Sequence, residues 1–233
     1  MMKAMILSAG YGKRLLPLTS NCPKPLLKIN NETLLSNTIK FLIKCGVKQV
    51  VINVHYLGEQ IIDYIKKNKF DLSITISEEK EKILDTGGGI LNTIKFFSNE
   101  PFLVINPDTI WSHNYVQEFK LMEKFFFLNK QKCSLLIINK KKSFDKKLKG
   151  DFNFKNDLIF KKNKSNLKFI YTGLQIISPQ VFSNVKDKIF SINKIWDKLI
   201  ENNELNAFES NSSFFHVSTT NVYKVLLQKL NIK

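Results

Sequence analysis

One arginine, Arg14, stands among 35 lysines, inside the run Ser8-Ala9-Gly10-Tyr11-Gly12-Lys13-Arg14-Leu15. A chain that meets every other need for positive charge with lysine keeps an arginine to advantage where a planar fork matters. The guanidinium grips a phosphate or carboxylate through two parallel hydrogen bonds, which an ammonium cannot copy. Gly10 and Gly12 allow the backbone to turn tightly, so that successive amides can face an anion. The spacing is neither a Walker loop nor G-x-G-x-x-G, because Leu15 breaks the pattern and no Gly-Lys-Ser/Thr ending follows. Taken alone, the lone arginine is explained as well by a lysine-biased composition.

Ten residues beyond Arg14 comes Lys24, held between Pro23 and Pro25, which restrict the backbone and so can aim its ammonium. A second constellation is Leu84-Asp85-Thr86-Gly87-Gly88-Gly89-Ile90, expected as a loop between a strand and a helix that begins at Gly89. Its glycines permit close backbone approach to a flat ligand, and the helix would offer its amide end; a plain turn is the other reading. A third is the buried run Pro101–Ile105 followed by Asn106-Pro107-Asp108, which puts a carboxylate at a strand end. On residues alone, Asp108 reads equally as a turn residue, a helix cap or a ligand.

Together, Gly10 to Leu15, Pro17-Leu18-Thr19 and Pro23-Lys24-Pro25-Leu26 resemble the nucleotidyltransferases that act on sugar 1-phosphates. That family opens with a strand, then G-x-G-x-R-L, P-L-T and P-K-P-L. The resemblance implies that Ser8, Ala9, Gly10, Tyr11, Gly12 and Lys13 bind the nucleotide. Arg14 would hold its phosphates, and Lys24 would contact the α-phosphate and the sugar phosphate. Thr86, Gly87 and Gly88 would lie against the base, and Asp108 would bind Mg2+. Thr172 and Gly173, in Tyr171-Thr172-Gly173, resemble a strand that lines the sugar pocket. Near the C-terminus the family carries W-x-D-V-G-T-P, whose aspartate is a second magnesium ligand. Here the run is Phe214-Phe215-His216-Val217-Ser218-Thr219-Thr220, with His216 in the aspartate's place. Magnesium prefers oxygen. His216 is therefore left with four roles: a metal contact through water, a softer metal, the substrate phosphate, or structure.

The implied reaction is attack of a sugar 1-phosphate on the α-phosphorus of a nucleoside triphosphate, with loss of pyrophosphate. The compact length resembles the short bacterial branch of uridylyl- and guanylyltransferases. UTP is the expected donor, with GTP and mannose 1-phosphate next; a nucleotide-binding regulator without catalysis is the rival of another class.

These residues need a scaffold that brings strand ends together. Lys3–Ser8, Val50–Val54, Leu72–Ile76 and Phe102–Ile105 read as strands. Leu34–Cys45, Gly58–Lys67 and Gly89–Phe97 read as helices between them. That alternation predicts an α/β, doubly wound, mostly parallel Rossmann-like sheet, with ligands beyond the carboxyl ends of its strands. The second half is expected to add strands at Ser134–Asn139, Phe169–Ile177 and Phe214–Val217, a hairpin over 151–162, and helices at Ile192–Glu201 and Asn221–Leu230. No linker appears, so residues 1–233 are expected as one domain, with a nucleotide half to 110 and a sugar-phosphate half from 111.

The net charge of +16 follows from lysines spread along the chain, and no nucleic-acid motif accompanies the cluster at Lys140–Lys149. Cys22, Cys45 and Cys133 show no metal or redox spacing, and no apolar stretch is long enough for a signal peptide or membrane span. The expectation is a cytoplasmic monomer or homodimer that binds neither nucleic acid nor membrane.

Overall fold

The computed structural model describes residues 2–161 and 166–230. In the first half, β1 (Ala4–Leu7), a small ladder of β2 (Lys28–Ile29) and β3 (Glu32–Thr33), α1 (Leu34–Lys44), β4 (Gln49–Val54), α2 (Gly58–Lys67), β5 (Ser73–Glu78), α3 (Asp85–Thr93) and β6 (Phe102–Ile105) follow in turn. The second half contains α4 (Asn114–Leu128), β7 (Cys133–Asn139), β8 (Asn153–Lys155), β9 (Leu158–Phe160), β10 (Phe169–Ile177), α5 (Asn193–Glu201), β11 (Leu205–Ser210) and α6 (Thr220–Leu230). Nine strands join in the order β5-β4-β1-β6-β10-β7-β11-β9-β8.

The first four of these are mutually parallel, with Met5 opposite Val51 on one side and Val104 on the other. β10 runs antiparallel to both β6 and β7, and β11 is parallel to β7. The expected doubly wound layout is present, with mixed strands added by the second half. β1 reads as a continuous apolar run because both its faces are covered. Ala4 and Ile6 face a core built with α1, α2 and α4, whereas Met5 faces a second core built with α3 and α5. Burying each such Leu or Ile stabilises the fold by roughly 1.5–3 kcal/mol.

Local chemistry sets the element ends. The Thr33 hydroxyl accepts from the Ser36 amide and caps α1, whose Leu35, Ile39 and Leu42 form the stripe against the sheet. α6 packs Tyr223 and Leu226 onto Leu15, Leu27 and Leu34, tying the C-terminal region to the segment that carries Arg14 and Lys24.

Four expectations change. α3 begins at Asp85, so Gly87, Gly88 and Gly89 lie inside a helix and not in a loop before it. Phe214–Val217 makes only isolated bridges, Ser143 to Phe214 and Thr109 to His216, and not a strand. α4 and β11 were not expected at all. The hairpin over 151–162 is present as β8 and β9, with Lys162 outside the described residues. Among the described residues, no helix is long and apolar enough to cross a membrane.

Candidate active site

β1 ends at Leu7, and the chain turns through Ser8–Gly12 across the carboxyl end of the parallel strands. Gly12 sits at φ +65°, the left-handed region, and a Cβ there would meet Thr19 Cγ2 at 3.0 Å. Thr19 closes the turn by donating its hydroxyl to the Gly12 carbonyl at 3.0 Å. The next three residues, Lys13–Leu15, form a short 3-10 turn that carries Arg14 to the pocket with Leu15 buried beneath it. The Ser8 amide is already committed, donating to Asn53 Oδ1 at 2.8 Å. Its hydroxyl is buried without a partner, and Ser8 is part of the pocket lining. Tyr11 stands outside the pocket lining, about 40% exposed, its ring edge-on to His55 and its hydroxyl 3.3 Å from His55 Nε2.

Lys24 opens a second 3-10 turn after Pro23, whose φ of −65° and ψ of 142° set the entry angle. Its ammonium lies 2.5 Å from Asp108 Oδ2. Asp108 is delivered by the segment after β6, where the Asn106 amide donates to the Gly173 carbonyl at 2.7 Å and the Val217 amide donates to the Asp108 carbonyl at 2.8 Å. That last bond, with Ile110 N–H to Phe215 O at 2.9 Å, holds the His216 segment alongside. His216 Nδ1 comes to 3.5 Å from Asp108 Oδ1, and its ring stacks on Phe214.

Burial alone would raise the Asp108 pKa; the positive groups facing it, His216 when protonated and Lys24, outweigh burial and bring it to about 2. Burial pushes His216 the other way, below the ordinary imidazole value, and Lys24 and Arg14 add to that against the opposing pull of Asp108. At neutral pH the imidazole is therefore uncharged, and Lys24 is the cation that compensates the carboxylate.

Asp108 Oδ1 and His216 Nδ1 are both buried without a hydrogen-bond partner. With the imidazole proton on Nε2, these facing atoms fit a cation that takes one or two protein ligands and its remaining oxygens from phosphates. They do not make a complete cage: among the described residues no group of three or more His, Cys, Asp or Glu is placed to hold a metal.

The third wall is the start of α3. Asp85 (φ +60°) and Thr86 line the pocket with Ile83. Gly87 and Gly88 do not. Both amides donate to the Phe190 carbonyl, at 2.9 and 3.0 Å, so neither is available to a base. A Cβ at Gly87 would overlap the Phe190 ring at 2.3 Å, and one at Gly88 the Lys188 carbonyl at 2.2 Å. The glycines admit segment 188–190. Thr172 and Gly173 make contacts within the sheet. The Thr172 hydroxyl donates to the Leu136 carbonyl, and Gly173, at φ +92°, makes room for Asn106 where the register of β10 against β7 shifts. Neither residue lines the pocket.

The open cleft has a volume of about 370 Å³, within the range of small-molecule sites. Arg14, Lys24, the glycine loop, Thr86 and Asp108 meet there, and Asn53, Asn106 and Ser218 join them. Asn53 was missed by sequence reasoning, although one amide inside Val-Val-Ile-Asn-Val was a legible irregularity. Three cations (Lys13, Arg14 and Lys24), loop backbone and the carboxylates of Asp85 and Asp108 surround a cleft at strand ends, a set that can bind a chain of phosphates and neutralise charge on it.

Residues 3–145 match the Nucleotidyl transferase family. The chain is 25% identical over 219 residues to an N-acetylmuramate alpha-1-phosphate uridylyltransferase of Caulobacter vibrioides, covering 92% of this chain and 90% of that protein. It is 40% identical over 110 residues to a D-glycero-alpha-D-manno-heptose 1-phosphate guanylyltransferase of Campylobacter jejuni, covering 47% of this chain and 49% of that protein. The fold is shared with HddC from Yersinia pseudotuberculosis complexed with GMP-PN, at a TM-score of 0.78 and 23% identity over 98% of this chain and 99% of that one. With the family match spanning well over half its length and the motif residues converging on one cleft, the chain belongs to the nucleotidyltransferases.

Proposed function

We propose that this protein transfers a nucleoside monophosphate from UTP to a sugar 1-phosphate in the cytoplasm, releasing pyrophosphate. The observation that carries the reading is the meeting of Arg14 and the Lys24–Asp108 pair at the mouth of the glycine loop. A sugar 1-phosphate is already an anionic nucleophile at neutral pH, so no general base is required. Positioning and charge neutralisation are what the chemistry needs. Arg14 is exposed in the pocket and free to fork onto the phosphates. Lys24, paired with Asp108, would contact the α-phosphate and the sugar phosphate, and the second half of the chain would supply the sugar side. Mg2+, carried with the triphosphate and held by Asp108 with His216 beside it, would neutralise charge on the leaving pyrophosphate.

UTP is favoured because the Caulobacter uridylyltransferase matches along nearly its whole length; GTP remains the second reading because a guanylyltransferase matches about half of this chain. A pyrophosphate-release panel crossing UTP, GTP, CTP and dTTP with several sugar 1-phosphates decides between them. Release in no combination, with nucleotide still bound, would instead support a non-catalytic nucleotide-binding regulator.

Arg14→Lys is expected to lower turnover about tenfold, roughly 1.4 kcal/mol of transition-state stabilisation, because a point charge replaces a two-bond grip. Wild-type rates in that variant would remove the bidentate role. His216→Asp puts a second oxygen ligand beside Asp108. The expected result is a shift in metal preference toward Mg2+ over softer ions, measured as activity across a metal series. An unchanged series would leave His216 as a structural residue.

A further inference from the structure

Behind the pocket wall lies a carboxylate that the reaction does not use. Glu79, just beyond β5, is only 4% exposed, and no cation among the described residues pairs with it. Its two oxygens do different jobs. Oε1 accepts from Asn53 Nδ2 at 2.7 Å, and Oε2 accepts from the Leu84 amide at 2.7 Å. Asn53 in turn accepts from the Ser8 amide at the start of the glycine loop, while Leu84 immediately precedes Asp85 and Thr86. The Glu79 main chain is fixed as well: its amide donates to Val54 O, and His55 Nδ1 lies 2.6 Å from its carbonyl. One buried side chain therefore joins two walls of the nucleotide pocket that are distant in sequence.

The third glycine of the run supports this. A Cβ at Gly89 would stand 2.8 Å from Asn53 Nδ2 and 2.9 Å from Glu79 Oε1. Gly89 leaves room beneath α3 for this pair, just as Gly87 and Gly88 leave room for segment 188–190.

We propose that Glu79 is a positioning residue for the nucleotide site, setting the separation of the glycine loop and the α3 start through Asn53 and the Leu84 amide. This rests on the nucleotide-binding reading of the pocket. Glu79 touches no substrate. A buried chain of this kind holds its geometry only while every donor faces an acceptor.

The test reverses the sense of the bonds. In Glu79→Gln, one side-chain position becomes a donor that faces either Asn53 Nδ2 or the Leu84 N–H. In the double variant Asn53→Asp/Glu79→Gln, the new carboxylate can accept from both Ser8 and the new amide, while the glutamine oxygen accepts from Leu84. Amide hydrogen exchange by NMR reports Ser8 and Leu84 directly, and titration with UTP reports the pocket. Glu79→Gln is expected to speed exchange at both amides and weaken UTP binding about tenfold, with the double variant returning exchange at both amides to within about threefold of wild type. Gly89→Ala keeps every donor and acceptor but presses a methyl onto the pair, and should also weaken UTP binding.

Unchanged Ser8 exchange and UTP affinity in Glu79→Gln would overturn the proposal. So would a double variant no better than the single one, or a Gly89→Ala protein of wild-type affinity. Wild-type protein that binds no nucleoside triphosphate would sink the nucleotide-site reading and the positioning role with it. Equal binding by wild type and Glu79→Gln would sink the positioning role alone.

Discussion

Asp108→Asn is expected to lower turnover by about a thousandfold, roughly 4 kcal/mol, while leaving nucleotide affinity within a few-fold. The carboxylate is the partner that holds Lys24 in place, and on the proposed reading it is the hard oxygen offered to the metal-bound triphosphate. An amide of the same shape keeps the packing but carries no charge, so it neither fixes the ammonium nor attracts a cation. The glycine loop and Arg14 do not depend on it, which is why the loss should fall on kcat. Single-turnover pyrophosphate release with a separate nucleotide titration checks this. A loss smaller than tenfold would remove Asp108 from the centre of the chemistry.

Lys24→Met should lower turnover about a hundredfold, near 2.7 kcal/mol, and also change how the fold responds to acid. Asp108 has its folded pKa depressed from an ordinary 3.8 to about 2. Its contribution to stability is therefore complete above the unfolded value and lost as pH falls through that window. Without Lys24, burial dominates at any pH where His216 is neutral, and the carboxyl takes up its proton at higher pH. Thermal unfolding between pH 3 and pH 7 should show the variant losing stability earlier on the acid side than wild type. Parallel curves would mean that the ion pair does not hold the carboxyl down.

Much of this site could be read in the chain because its chemistry is local. Gly12 with its positive φ, the Pro23-Lys24-Pro25 turn and the carboxylate after an apolar strand each announce themselves within a few residues. What stayed hidden depends on partners far away in sequence. Three adjacent glycines look the same whether they admit a ligand, a phenylalanine or a buried amide–carboxylate pair; residues 188–190 decide it for two of them, and Asn53 with Glu79 for the third. Thr172 and Gly173 likewise serve the shift of β10 against β7 and the approach of Asn106. α4 escaped notice because Phe125-Phe126-Phe127-Leu128 blurs its stripe, although Tyr115, Phe119, Met122 and Phe126 keep helical spacing. β11 has a polar, mixed sequence, Leu-Asn-Ala-Phe-Glu-Ser, and is a strand because β7 offers it a free edge.

The placement of β10 between β6 and β7 also bears on how the chain is born. The strands β5, β4, β1 and β6 are all complete by Ile105, but the open side of β6 is covered only when Phe169–Ile177 arrives. Roughly 65 residues of synthesis separate the two, about 3–13 s at ribosomal speed. For that interval the nascent protein carries Phe102-Leu103-Val104-Ile105 as an unpaired apolar edge, the kind of template on which neighbouring chains add strands. The strand that completes the second half is thus also the one that ends the molecule's period of greatest exposure to aggregation.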